Sequence, residues 1–330
     1  MYARLKTIIM RKLFILATSV ALVGTFVTPA NAETENVIAV IDSGFDSSQF
    51  ASNIVEEVCV TATRGCNNRT GFEIGSGAAG SENQIRARSL EDWNHGTLMV
   101  QTILSVNPDA KLVLVRNSKV YGSVVLPGTE DDFAAALQWV SDNAQDYNIV
   151  AVSFSRGSHK YVQSDRAVSR LMGTIKIYQG LVDRLNAKGS RIAHIFEKKL
   201  NKFKEQLAAM GNIDCPVNAT VDNLISDLQD RDVATIVATG NDADKSYADY
   251  PACVEDAVAV SATDNTGNLV YVSNIGPNTD FAAEAPTTSE ATAKLAAKWA
   301  MMYNGSYDST YDLMANSGMR TNHHSAIFVP

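Results

Sequence analysis

Val37-Ile38-Ala39-Val40-Ile41, closed by Asp42-Ser43-Gly44, decides the fold. Every residue of the run is apolar and all but Ala39 are β-branched, so it makes a strand with no polar face. That is the pattern of a strand covered on both sides in a parallel sheet. Further runs repeat it: Lys111-Leu112-Val113-Leu114-Val115, Asn148-Ile149-Val150-Ala151-Val152-Ser153-Phe154, Ala234-Thr235-Ile236-Val237-Ala238 and Ala257-Val258-Ala259-Val260-Ser261-Ala262. Residues 131–145 read as a helix, so strand and helix alternate, and the chain is expected to form an α/β fold with a doubly wound, mostly parallel sheet. Active sites of such sheets lie outside the carboxyl ends of the strands. Asp42 stands at that end of the first run, although Asp-Ser-Gly is also ordinary turn chemistry.

The N-terminus carries Arg4, Lys6, Arg11 and Lys12, then an apolar run over residues 13–27, then Ala30-Asn31-Ala32. A basic region, a short apolar region and an A-x-A site predict a signal peptide, residues 1–32, cleaved after Ala32. The run is short for a membrane span, which takes about 20 residues. Of the 28 Lys and Arg, four lie in that segment; the remaining 24 against 36 Asp and Glu give −12 for residues 33–330. An acidic surface argues against nucleic acid as a partner. The four cysteines, Cys59, Cys66, Cys215 and Cys253, are an even number in a chain expected to be secreted or periplasmic, which suggests two disulfides; sequence alone allows three pairings. The close pair Cys59/Cys66 would staple a short loop and Cys215/Cys253 would bracket the apolar run between them, and there is no C-x-x-C spacing to hold a metal.

Two other stretches carry candidate chemistry. In Asn94-His95-Gly96-Thr97-Leu98-Met99-Val100, apolar spacing continuing to Ile103 and Leu104 predicts a helix with His95 in its first turn. Gly96 inside that helix costs about 1 kcal/mol against Ala, and close approach of another segment would explain it. In Thr287-Thr288-Ser289-Glu290-Ala291-Thr292, a strong helix is expected from Ala291 onward, with Ser289 just ahead of it. An ordinary N-cap explains that serine when it is taken alone. A hydroxyl beside free N–H groups and the positive end of the dipole is also well placed to develop an oxyanion. The glycine-rich residues 75–81 lack the Lys-Ser/Thr of a phosphate loop.

Together these motifs resemble the subtilisin-like serine proteases: a strand leading into Asp42-Ser43-Gly44, His95-Gly96-Thr97, a strand leading into Gly240-Asn241, and Thr288-Ser289-Glu290-Ala291-Thr292 entering an Ala-rich helix. The order Asp, His, Ser matches that family and differs from chymotrypsin-like enzymes and α/β-hydrolases. Residues 257–262 and Val272-Ser273-Asn274-Ile275-Gly276-Pro277 are similar to the family's segment before the serine helix. The resemblance implies a three-layer fold over residues 33–330. It implies an endopeptidase acting on protein or peptide substrates through an acyl-enzyme, with Ser289 as nucleophile, His95 as base and Asp42 orienting the imidazole. Asn241 and the Ser289 N–H would form the oxyanion hole. Ser153, Phe154, Ser155, Arg156 and Gly157 would form the edge strand that pairs with the substrate. No cofactor is implied. Relatives often bind calcium, but Asp242 and Asp244 alone read as loop acids. Thr287 stands where the family has Gly, and Glu290 where a Met or small residue is usual; an inward-pointing Glu290 would perturb His95 or crowd the substrate.

Between the substrate strand and the strand before Asn241 lies an insert at about residues 158–214. Leu171, Ile175, Tyr178, Val182 and Leu185, then Ile192, Phe196, Leu200, Phe203 and Leu207, recur at helical spacing around a break at Ala187-Lys188-Gly189-Ser190. A helical hairpin is expected. Residues 156–205 hold 12 Lys and Arg against 4 Asp and Glu, a net +8 that leaves −20 for the rest of the chain after residue 32. A solvated basic face is the plain reading. The sharper one is a hairpin that docks on the acidic body or binds an anionic partner. A rival to the enzyme reading follows, a catalytically silent subtilase-like protein that binds peptides or a partner through this insert. A third reading is an esterase or amidase on the same triad.

Overall fold

The structure, a computed structural model, describes residues 35–80, 95–121, 124–126, 128–155, 166–190, 192–209, 215, 218–320 and 326–329. The expected signal peptide, Arg156, Gly157 and both margins of the insert lie outside them. In chain order the elements are β1 (Val37–Asp42), β2 (Ile54–Val60), β3 (Phe72–Ile74), α1 (His95–Val106), β4 (Lys111–Arg116), β5 (Lys119–Tyr121), β6 (Val124–Leu126), α2 (Glu130–Tyr147), β7 (Ile149–Phe154), α3 (Arg166–Ala187), α4 (Ala193–Ala209), α5 (Ala219–Gln229), β8 (Ala234–Ala238), β9 (Val258–Thr263), β10 (Phe281–Glu284), α6 (Thr288–Met302), α7 (Tyr307–Ser317), β11 (Met319–Arg320) and β12 (Ile327–Val329).

Ten strands form one sheet in the order β11-β12-β10-β9-β8-β7-β1-β4-β2-β3. From β12 to β2 every neighbour pair is parallel, and only the outermost β11 and β3 run antiparallel to their neighbours. β1 sits in the interior between β4 and β7, which is why it has no polar face. Its side chains alternate between two cores. Ile38 and Val40 join Met99, Val100 and Ile103 of α1 and Leu295, Ala296 and Trp299 of α6. Val37, Ala39 and Ile41 join Phe133 and Leu137 of α2 and Val221, Leu224, Ile225 and Leu228 of α5. The result is helix, sheet and helix in three layers. The insert forms the expected hairpin, α3 against α4, closed through Tyr178 packed on Phe196 and Phe203. Gly189 takes φ +61° in its turn, a region costly for any residue with a Cβ. The disulfides are Cys59–Cys66 and Cys215–Cys253. No helix among the described residues is long and apolar enough to cross a membrane.

The C-terminal elements are tied to the sheet by Asp280, just before β10. Its Oδ2 accepts the Ala259 N–H at 2.8 Å, its Oδ1 accepts the Tyr311 hydroxyl at 2.9 Å, and its carbonyl accepts the Ile327 N–H at 2.9 Å. Burial pushes this carboxyl up to about 6 against those bonds. Folded protein therefore holds the Asp280 proton more tightly than unfolded chain, so the contribution is full below about pH 4 and lost as pH rises to about 6. An Asp280→Asn variant can keep both bonds, since a tyrosine hydroxyl also accepts. Unfolding midpoints measured between pH 4 and 7 should show the wild type losing about 3 kcal/mol relative to the variant. Parallel curves would refute this.

Candidate active site

The Asp42 carboxylate lies at the carboxyl end of β1, 7% exposed. Its Oδ1 accepts the Ser43 N–H at 2.6 Å and the Ser43 hydroxyl at 3.1 Å, so the turn that ends the strand also fixes the carboxylate. His95 opens α1 and puts Nδ1 2.8 Å from Asp42 Oδ2 and 3.0 Å from Oδ1. An ionised carboxylate only accepts, so the imidazole proton belongs on Nδ1 and Nε2 carries the ring's lone pair. The glycine after His95 has the expected reason. A Cβ on Gly96 would stand 2.4 Å from the Gly44 carbonyl and 2.9 Å from the Phe45 ring, so only glycine lets α1 come this close to the Asp42 turn.

Helix α6 begins three residues earlier than expected. Thr287 is its N-cap, in extended geometry at φ −137°, and Ser289 lies inside the first turn, 6% exposed. An extended N-cap needs no glycine, so Thr287 fits this position. The Glu290 carboxylate accepts the Thr287 hydroxyl at 2.7 Å. It is thus folded back onto its own helix start, where the dipole favours it, instead of pointing inward. This bond and those from Thr288 to Asn241 brace a first turn whose Thr288 and Ser289 have modest helix propensity. Ala291, Leu295, Ala296, Ala297 and Trp299 bury the helix between sheet and α1, while Glu290, Lys294 and Lys298 make one half-exposed line.

Ser289 and Ser155 are laced together. The Ser289 hydroxyl donates to the Ser155 carbonyl at 3.1 Å, and the Ser155 hydroxyl donates to the Ser289 carbonyl at 3.2 Å. The Ser289 proton is therefore held on a carbonyl in this arrangement, and general-base chemistry requires it to turn to His95. Such bonds commonly tighten only when substrate binds.

Asn241 follows β8. Its Oδ1 accepts both the Thr288 N–H and the Thr288 hydroxyl, each at 3.0 Å. A backbone N–H can only donate, so these bonds fix the amide orientation and leave its NH2 group as the donor end. The Ser289 N–H is one of the first-turn groups with no acceptor inside its helix. The loop around Asn241 is held by Asn274, 1% exposed. Asn274 Oδ1 accepts the N–H groups of Asp242 and Asp244 at 2.9 Å each, its Nδ2 donates to Asp249 at 3.2 Å, and its N–H donates to the Gly240 carbonyl at 2.8 Å. Gly240, at φ +105°, has no room for a Cβ, which would lie 2.1 Å from Asp249 Oδ2 and 2.4 Å from Asn274 Nδ2. Sequence reading singled out the segment around Asn274 without giving this side chain a role; a lone buried Asn has no local signature.

The expected substrate strand begins inside the sheet. Phe154 pairs with Ile41 on one side and Val237 on the other, so β7 is a central strand whose two edges are both occupied. Ser153 is buried, and Phe154 stacks on Phe133 at 3.7 Å between ring centroids. Neither offers a free backbone edge to a peptide, and the chain leaves the sheet only at Ser155. Arg156 and Gly157 lie outside the described residues. Among the described residues no group of three or more His, Cys, Asp or Glu side chains is placed to hold a metal. Asp244 Oδ1 accepts the Ser246 and Tyr247 N–H groups at 2.8 and 3.2 Å, and burial raises that carboxyl. Asp242 meets Lys176 of α3 at 3.2 Å, so the hairpin does touch the acidic body.

No curated protein matches the chain. Among solved structures it is similar to a protease from Pseudoalteromonas arctica PAMC 21717, at 16% identity and TM-score 0.60, covering 90% of this chain and 88% of that one. It is also similar to a mutant of the protease domain of PatA, at 12% identity and TM-score 0.55, covering 89% and 92% respectively. A lanthipeptide protease matches at 11% identity and TM-score 0.55, covering 88% and 85%. At such identities the likeness shows the fold. The Subtilase family matches residues 33–325, nearly the whole length. The chain belongs to the subtilase family, and is a serine peptidase of α/β fold.

Proposed function

We propose that the protein is an exported endopeptidase that cleaves peptide bonds with Asp42, His95 and Ser289. The observation that carries this reading is the 2.8 Å contact between Asp42 Oδ2 and His95 Nδ1, at the carboxyl ends of the parallel strands, which the Ser289 turn of α6 and the Asn241 donor also follow. In this mechanism a substrate carbonyl enters beside Ser289, whose hydroxyl turns from the Ser155 carbonyl to His95. His95 takes the proton as Ser289 attacks, and Asp42 stabilises the imidazolium. The Asn241 NH2 and the Ser289 N–H receive the developing oxyanion. His95 then protonates the leaving amine, and water resolves the acyl-enzyme by the same steps. Export is supported by the N-terminal sequence, by two disulfides, and by a family match that begins at residue 33, directly after the expected cleavage site. The silent alternative is favoured by one observation, the Ser289 hydroxyl held on the Ser155 carbonyl.

A fluorophosphonate probe separates the two, because it traps only a serine activated by its base and oxyanion hole. Labelling of the folded protein that is absent in Ser289→Ala and after heat unfolding is the expected result. A folded protein that stays unlabelled would leave the silent reading.

A further inference from the structure

We infer that the α3/α4 hairpin is a substrate-selecting arm, and that the peptides it selects carry acidic residues beside the bond presented to Ser289. The inference rests on the site proposed above and gives its substrate class. Three observations place the arm. First, the insert follows in the chain closely on Ser155, the residue laced to Ser289. Second, its far root is stapled by Cys215–Cys253 to the segment that follows Asn241 and Asp249. Third, the arm lies against the loop of the oxyanion donor. Lys176 pairs with Asp242, the residue after Asn241. Lys204 donates to Gln179 of α3 at 3.1 Å and is near enough to Asp244 to favour its charged form.

The arm also carries the charge. Lys176, Arg184, Lys188, Lys198, Lys199, Lys202 and Lys204 are all exposed, against Glu197 exposed and Asp183 half-buried. At 22 residues α3 is about 33 Å long, so these cations extend well beyond the ion pair at Asp242. Single exposed ion pairs are worth little, and the Lys176–Asp242 pair with Lys176 74% exposed would not hold a lid shut. A dense patch of one sign is different, because its summed field concentrates oppositely charged chains at an adjoining cleft. The rest of the chain after residue 32 is strongly acidic. Body charge alone would make this enzyme prefer basic peptides, whereas the arm reverses the local sign, so the two readings forecast opposite selectivity.

The test uses the Ser289→Ala protein, which binds without turnover, and three fluorescent peptides that share an apolar centre flanked by Glu, Gln or Lys. At low salt, about 25 mM, the Glu peptide should bind roughly tenfold tighter than the Gln peptide, and the difference should vanish near 0.5 M salt. In an Arg184→Gln/Lys198→Gln/Lys199→Gln/Lys202→Gln variant with unchanged melting, the Glu and Gln peptides should bind alike. If that variant does not fold, the salt titration still decides. Equal binding of the three peptides, or preference for Lys, overturns the inference. Cleavage of the Gln peptide by the wild type is a separate readout. Its absence counts against the endopeptidase reading while the binding comparison still tests the arm.

Discussion

Asp42→Asn should lower kcat about 10⁴-fold while leaving KM nearly unchanged. The cause is a misplaced proton. Asp42 Oδ1 accepts the Ser43 N–H at 2.6 Å, and an asparagine must keep an oxygen there because that N–H cannot accept. Its NH2 then replaces Oδ2, 2.8 Å from His95 Nδ1, and donates to the ring. The imidazole proton moves to Nε2, which can no longer take the proton of Ser289. The swap is close in size, so α1 and the turn keep their places and the substrate loses no contact. Steady-state kinetics on any cleaved peptide would check this. A loss below tenfold would mean that Asp42 is a structural acid and that another group orients His95.

Asn274→Ala should have the next largest effect, through a residue that meets no substrate. Removing the side chain frees the N–H groups of Asp242 and Asp244, on either side of which the Asn241 loop turns, and leaves Asp249 without its amide donor. Three hydrogen bonds at a nearly fully buried residue suggest a stability loss of about 2–4 kcal/mol. The kinetic effect runs through Asn241. Losing an oxyanion donor costs about 10² to 10³ in kcat, a figure whose reference measurement comes from a member of this same family. Asn274→Ala should approach that loss, mainly in kcat. The decisive comparison is the double variant with Asn241→Ala. If Asn274 acts by positioning Asn241, the two losses do not add, whereas additive losses would make Asn274 a fold residue only.

Strands β1, β4, β7, β8 and β9 were legible because each is a short, mostly apolar run buried on both faces, whereas β2, with Glu56 and Glu57 in its middle, lacks that pattern. Helix α5 was not picked out, although Val221, Leu224, Ile225 and Leu228 carry the i, i+3, i+4, i+7 spacing of a buried face. The short β3, β5, β6, β11 and β12 went unread because two or three residues hold no period. Residues whose role is carried by a local motif, such as His95 with Gly96, could be named from sequence. The lacing of Ser155 to Ser289 and the bracing by Asn274 could not, since each joins residues far apart in the chain. The pairing of Ser153 and Phe154 on both sides is hidden for a related reason: whether a strand lies at an edge depends on its neighbours, which its own residues do not encode.

The position of α6 after every central strand sets an order of events during synthesis. The acid, the base and the oxyanion donor proposed above lie at residues 42, 95 and 241, while the proposed nucleophile waits for residue 289. β10, which leads into α6, is itself flanked by β12, whose last described residue is Val329. A nascent chain can thus lay down β1, β4, β7, β8 and β9 and still lack the proposed nucleophile. On the proposed mechanism hydrolytic capacity arrives in one late step, when α6 seats against the sheet, and a product of translation interrupted before residue 289 lacks its nucleophile.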